Sequence, residues 1–182
     1  NWIKKNNLKK IKEIVTMYLG GHIYNNIDFF NLKKKFKFLI IEDSCHALGL
    51  KYKYKKYFYF IGSCKHADIS AFSFHPLKSI TTAEGGAITT NNLSFARKAL
   101  LFRSHGIERS HKHWSYQISS PGLNYRLSDL NCALGISQLK RIKFFLKKRK
   151  HISKKYKTSL FSLKEKKLIN FLPETSDAYS SN

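Results

Sequence analysis

Phe38-Leu39-Ile40-Ile41-Glu42 (FLIIE) decides the fold class. The run is apolar without alternation and too short for a helix. It follows a weakly helical segment, Asn26–Lys35, whose Ile27, Phe30 and Leu32 fall near one side. A continuous apolar run of strand length after a helix suits a strand buried on both faces of a parallel sheet. Working outward, Glu13–Leu19 (EIVTMYL) is closed by Gly20-Gly21 and reads as a strand and turn. Tyr52–Ile61, aromatic and lysine-rich, reads as an antiparallel excursion. Asp68–Phe74 (DISAFSF) and Gly86–Thr90 (GAITT) read as further strands. Leu93–Arg103 has helical spacing, with Leu93, Ala96, Leu100 and Leu101 on one side. Ser128–Leu139 is a second helix, with Ser128-Asp129 at its amino-terminal end. This alternation predicts an α/β fold with a mostly parallel sheet and flanking helices. In such sheets ligands sit at the carboxyl ends of the strands.

Composition narrows the class further. The 182 residues carry a formal net charge of +23, with 42% hydrophobic and 14% aromatic residues. That is too much apolar material for a disordered chain. No apolar stretch approaches the roughly 18–20 residues that a bilayer-crossing helix needs. Cys45, Cys64 and Cys132 are few, odd in number and unpatterned, which excludes a disulfide scaffold. The positive charge invites a polyanion partner. Only six of the basic residues are Arg, however, and Asn, Ile, Phe and Tyr are heavily used alongside Lys. That joint bias is what AT-rich coding produces, and Arg is the residue suited to bidentate phosphate or base contacts. We therefore expect neither nucleic acid nor membrane as a partner.

Arg141–Leu160 is a long basic helix with an interrupted apolar stripe of Ile142, Phe145, Leu146, Ile152 and Tyr156. It reads as an amphipathic helix packed on the body. The alternatives are a nucleic-acid helix and a membrane-surface helix, the latter opposed by a thin apolar face without Trp. Asn1–Lys12 is charged and lacks the apolar core of a signal peptide, and the tail from Leu172 to Asn182 is polar. The chain starts at Asn1 rather than Met, so it is expected to be cut from a longer one.

Several residues carry possible chemistry. Asp43 stands at the carboxyl end of FLIIE, where an acid is desolvated unless it has a cationic partner. A protonated ring nitrogen would be such a partner, and a helix cap or turn is the plainer alternative. His46 follows three residues on, and a histidine so placed is, taken alone, more often a packed or surface residue. His66, His75, His105, His111 and His113 show no metal-ligand spacing, so no metal is expected. Lys78 has an unusual frame. An apolar strand ends in Ser73-Phe74-His75-Pro76, and Ser79-Ile80-Thr81-Thr82-Ala83-Glu84-Gly85-Gly86 follows. A lysine in a mostly buried pocket can form a Schiff base with an aldehyde. Ser73, five residues earlier, is either a phosphate-binding hydroxyl or an ordinary strand serine. Gly85-Gly86 match neither a Walker loop nor GxGxxG and read as a tight start to a strand.

Taken together, IIEDSCHALG (Ile40–Gly49), ADISAFSFHPLKSITTAEGGAITTN (Ala67–Asn91), RSHGI (Arg103–Ile107) and PGLNYRLSDLNCALGISQL (Pro121–Leu139) resemble the DegT/DnrJ/StrS family of sugar aminotransferases. The resemblance runs from about Leu8 to Leu160. It implies a fold-type I large domain, pyridoxal 5'-phosphate (PLP) as cofactor and an obligate homodimer in the cytoplasm. Lys78 matches the lysine that holds the cofactor covalently. Asp43 matches the carboxylate that keeps the pyridine nitrogen protonated, which makes the ring an electron sink. Cys45 matches a small residue packed against the ring, usually Ala, and His46 the residue near the phenolic oxygen. Ser73 matches a phosphate-binding hydroxyl, and Asn124 an asparagine that reaches the phosphate in the neighbouring subunit. Tyr125 and Arg126 continue that loop, either as structure or as substrate contacts.

The implied reaction moves an amino group from glutamate to the keto carbon of a nucleotide-linked 4-keto-6-deoxy sugar, with Lys78 as proton shuttle. A lysine at this position argues against the family's dehydratases, which carry histidine there. The wording SFHPLKSITTAEGG is most similar to the pseudaminic-acid branch. The resemblance places residues 1–139 in the PLP-binding large domain, 140–162 in a basic helix leading to the small domain, and 163–182 at the start of a truncated small domain. The family's phosphate-holding helix start lies upstream of this segment. The chain is thus expected to be an internal fragment with an incomplete sheet and little PLP absorbance alone. Two other outcomes stay open: a basic nucleic-acid module built on Arg141–Lys157, and a non-catalytic relative.

Overall fold

The computed structural model describes residues 11–24, 26–109, 115–171 and 178–180. Residues 1–10, His111, His113 and most of the polar tail lie outside the described residues. A four-stranded sheet organises the rest. Its strands are β1 (Glu13–Met17), β2 (Leu39–Asp43), β5 (Ile69–Ser73) and β6 (Gly86–Thr89), in the order β1-β2-β5-β6. β1, β2 and β5 are parallel, with Met17 opposite Asp43 and Asp43 opposite Ala71. β6 runs antiparallel to β5, pairing Gly86 with Ser73. A Cβ at Gly86 would come within 2.5 Å of the Phe72 carbonyl oxygen, so the glycine is what admits β6 this close. The carboxyl ends of three strands and the start of the fourth therefore share one edge, where the site assembles.

The crossovers follow the sequence pattern. Helix α1 (Asn26–Phe36) links β1 to β2. Lys33 pairs with Asp68, whose other oxygen accepts the Ile40 N–H at 2.8 Å, so one acid ties helix and strand together. Between β2 and β5, β3 (Leu50–Tyr54) and β4 (Tyr57–Phe60) form an antiparallel hairpin, the excursion expected from Tyr52–Ile61. β9 (Ala178–Ser180) pairs on the other side of β3. The principal core cluster joins hairpin to sheet through Tyr18, Ile23, Ala47, Tyr52, Ile61 and Phe72.

Helix α2 (Leu93–Arg103) begins at Asn92, whose side chain accepts from the N–H groups of Ser94 and Phe95. Such a cap is worth about 1 kcal/mol. A short hairpin follows, of β7 (Ile107–Arg109) and β8 (Tyr116–Ile118). Helix α3 (Asp129–Lys140) is capped by Ser128, as its sequence predicts. Helix α4 (Ile142–Ser159) is the basic helix, and α5 (Phe161–Glu165) is one further turn.

Two expectations change in detail. FLIIE was expected to be buried on both faces, but only the face bearing Ile40 and Glu42 is closed, and Leu39, Ile41 and Asp43 are half-buried. Asp43 is itself the last residue of β2. The stripe of α4 is seated only over its first half. Ile142 and Leu146 pack on Gly49, whose side a Cβ would bring to within 2.7 Å of Leu146, whereas Ile152 and Tyr156 are exposed. Large apolar residues also stand exposed on edge strand β1 (Val15, Met17) and on α3 (Leu130, 85% exposed).

Candidate active site

The site is built from three loops at the carboxyl ends of the parallel strands. The first is residues 44–49, after β2. Asp43 accepts the Cys45 N–H at 3.1 Å. Hydrogen bonding from the Cys45 side chain, with a further contribution from its N–H, holds the Asp43 carboxyl below its ordinary range. Burial opposes this, and positive charge on His46 or Lys78 acts in the same direction as Cys45. Burial and the Asp43 carboxylate push the Cys45 thiol up, so it stays a small, inert, protonated group.

The second loop, residues 74–85, carries Lys78. Its base is pinned where Phe74 N–H donates to Gly85 O at 2.8 Å and Thr82 N–H to Phe74 O at 2.9 Å. Thr82 is buried, and its hydroxyl donates to Glu84 O at 2.8 Å. Helix α3 clamps the same residue, because Asn131 Nδ2 donates to Thr82 O and a Cβ at Gly135 would meet Thr82 Cγ2 at 2.8 Å. Ala83 takes a left-handed φ of 65°, held by the Thr81 hydroxyl accepting its N–H at 2.9 Å. At the tip, Lys78 N–H donates to His75 O at 2.9 Å. The half-buried Lys78 side chain then reaches across to β2's loop, placing Nζ 2.8 Å from His46 Nε2. Ser73 Oγ accepts the His75 N–H at 3.3 Å, which fixes the hydroxyl at the root of this loop.

The third loop, residues 18–22 after β1, supplies the other partner of His46: Gly20 N–H donates to Nδ1 at 3.2 Å. Asp43 and Ser73 end β2 and β5, Cys45, His46 and Lys78 lie on the two loops that follow, and all five stand at one sheet edge. Asn124, Tyr125 and Arg126 are exposed and are grouped elsewhere. Asn124 forms a β-bridge with Ser104, Tyr125 N–H donates to Arg103 O at 2.9 Å, and the Tyr125 ring meets Phe102 edge-on. Among the described residues no group of His, Cys, Asp and Glu could hold a metal ion.

Three participants were not found from sequence. Gly20 acts through its backbone, signalled only by the Gly-Gly pair. Glu42 is buried and accepts from the hydroxyls of Tyr18 (2.5 Å) and Ser70. An acid at an inward position of an apolar strand is the clue that it needs partners. Arg149 on α4 donates to Lys78 O at 2.7 Å, one cation among many in a basic run.

The profile of the DegT/DnrJ/EryC1/StrS aminotransferase family matches residues 3–181. A Campylobacter jejuni UDP-4-amino-4,6-dideoxy-N-acetyl-beta-L-altrosamine transaminase is 45% identical over 150 residues, covering 82% of this chain and 38% of the relative. The structure of Helicobacter pylori PseC, an aminotransferase involved in pseudoaminic acid biosynthesis, is similar at a TM-score of 0.78 and 35% identity, over 87% of this chain and 41% of that one. Spr1654 from Streptococcus pneumoniae, solved in its PLP form, is similar at a TM-score of 0.71 and 28% identity, covering 87% and 43%. The chain spans well under half the length of these relatives. Pinned lysine loop, acid-ended central strand and matching profile lead to one statement: the chain belongs to the DegT/DnrJ/EryC1/StrS aminotransferase family, whose members are PLP-dependent and of fold type I.

Proposed function

We propose that this chain supplies the lysine-bearing part of the active site of a PLP-dependent aminotransferase that transfers an amino group from glutamate to the keto carbon of a nucleotide-linked 4-keto-6-deoxy sugar. The observation that carries it is the approach of Lys78 Nζ to His46 Nε2, at 2.8 Å, beside a carboxylate held in its ionised form. The donor set fits the cofactor: an amine for its aldehyde, an acid for its ring nitrogen, an imidazole for its phenolic oxygen and a hydroxyl for its phosphate. PLP, when bound, supplies the aldehyde that takes up amino groups and a ring that accepts an electron pair.

The protein's part is positional and acid–base. Asp43 keeps a proton on the ring nitrogen, because a depressed carboxyl is a stable counter-ion. Lys78 would hold the cofactor through its amine and, as a free base, would move the proton at the substrate carbon. Cys45 fills space beside the ring without competing as a nucleophile. Ser73 would hold the phosphate, and the loop of Asn124 would serve a neighbouring subunit in a homodimer, Asn124 at its phosphate and Tyr125 and Arg126 either as loop structure or as substrate contacts there. The 45% identity to the altrosamine transaminase supports a UDP-linked amino sugar of the pseudaminic-acid branch as the product class. We place the enzyme in the cytoplasm, where nucleotide sugars are made.

The test is borohydride reduction in the presence of PLP, on the gene-encoded polypeptide that contains this chain, followed by peptide mapping. The expected adduct lies on Lys78 and is absent from Lys78→Ala. An adduct on other lysines alone, equal in Lys78→Ala, overturns the reading.

A further inference from the structure

One of the three loops at the site has no part in the chemistry above. Tyr18, at the end of β1, is 1% exposed and is fixed twice. Its N–H donates to Asp43 O at 3.2 Å, and its hydroxyl donates to Glu42 Oε1 at 2.5 Å. Gly20 and Gly21 follow with φ of +62° and +81°, a left-handed pair that residues with side chains adopt only at a cost. The turn also presses on the His46 loop, since a Cβ at Gly21 would lie 3.2 Å from His46 O. The outcome is that Gly20 N–H is aimed at His46 Nδ1, 3.2 Å away.

A ring nitrogen that accepts an N–H carries no proton of its own. The single proton of a neutral imidazole then sits on the other nitrogen. We propose that Gly20 is a positioning residue whose backbone N–H fixes His46 as the Nε2–H tautomer, so that the ring donates a hydrogen bond towards Lys78 and towards an anionic oxygen bound beside it. Nε2 lies 2.8 Å from Lys78 Nζ, so in this tautomer the ring N–H is the donor of that contact. The opposite tautomer, or a doubly protonated ring, would set two N–H groups against each other at Gly20. The benefit to a cofactor oxygen rests on the function proposed above, whereas the tautomer itself does not.

The experiment is nitrogen NMR on the gene-encoded polypeptide that contains this chain. Expected are a scalar coupling across the hydrogen bond between the Gly20 amide and His46 Nδ1, and a proton on Nε2. Gly20 amide exchange should quicken roughly three- to tenfold in His46→Ala, the scale of one hydrogen bond. His46→Asn, whose amide oxygen stands near the Nδ1 position, should keep the slow exchange. A proton on Nδ1, or no coupling together with unchanged exchange in His46→Ala, overturns the proposal. Borohydride trapping separates it from the function. Coupling without a Lys78 adduct supports the tautomer and sinks the aminotransferase reading. An adduct with a proton on Nδ1 does the reverse.

Discussion

Glu42 and Asp43 are neighbours on β2 with the same functional group, yet strand alternation sends them to opposite faces. Glu42, 4% exposed, is saturated by the hydroxyls of Tyr18 and Ser70. Asp43 is half-buried and takes its hydrogen bonds from its own loop, with capacity left over at an open sheet edge. A carboxylate fully satisfied inside the protein fixes structure. One partly satisfied at a strand end is available to a ligand.

The strongest challenge to this division is Glu42→Ala. It leaves two buried hydroxyls unpartnered and removes two hydrogen bonds to a charged group, each worth about 1.5–3 kcal/mol. We expect a loss of about 3–5 kcal/mol by urea unfolding, with Glu42→Gln losing about half of that. A loss below about 1 kcal/mol would erase the contrast.

Asp43→Asn is the converse test. Its stability at neutral pH should change by less than about 1 kcal/mol, while the Lys78 adduct with PLP falls in yield. The sign with pH follows from the depressed carboxyl. Its stabilisation is present above the unfolded carboxylate pKa of about 3.9 and is lost as pH falls through the folded value. Asp43→Asn should therefore flatten the stability profile only below about pH 4.

The smallest effect belongs to the aromatic hairpin, whose Tyr52 packs in the same core cluster as Tyr18. His66 is 5% exposed among Phe30, Tyr54 and Tyr59, with Nδ1 2.6 Å from the Tyr52 hydroxyl. Burial, aided by Glu42, raises the Tyr52 phenol, so it stays protonated. Burial also depresses His66, aided by Lys65 and Lys34. A lowered histidine stabilises above its unfolded pKa of about 6.5 and loses that contribution as pH falls toward the folded value. Unfolding between pH 7.5 and 5.5 should show stability falling with acid, and His66→Phe should remove most of the slope.

Sequence reading carried the parallel strands because FLIIE and DISAFSF are apolar runs with clear punctuation, and the helix cap at Ser128 has a local signature. The convergence of Asp43, Cys45, His46, Ser73 and Lys78 was legible through motif order. What stayed hidden was contact between distant segments. β7 and β8 are three residues each, too short for any period to show. Gly20 meets His46 across 26 positions through a backbone N–H, which no side-chain pattern encodes. Arg149 lies 71 positions from Lys78 and is one cation in a dense run.

That arginine has a mechanical consequence. Helix α4 rests on Gly49, just beyond the acid-bearing strand, and Arg149 holds the carbonyl of the very residue whose amine points into the site. The helix is thereby a lever with its fulcrum beside one half of the site and its hook in the other. Rotating it about Gly49 cannot leave Lys78 where it was: either the tie parts or the lysine travels with it.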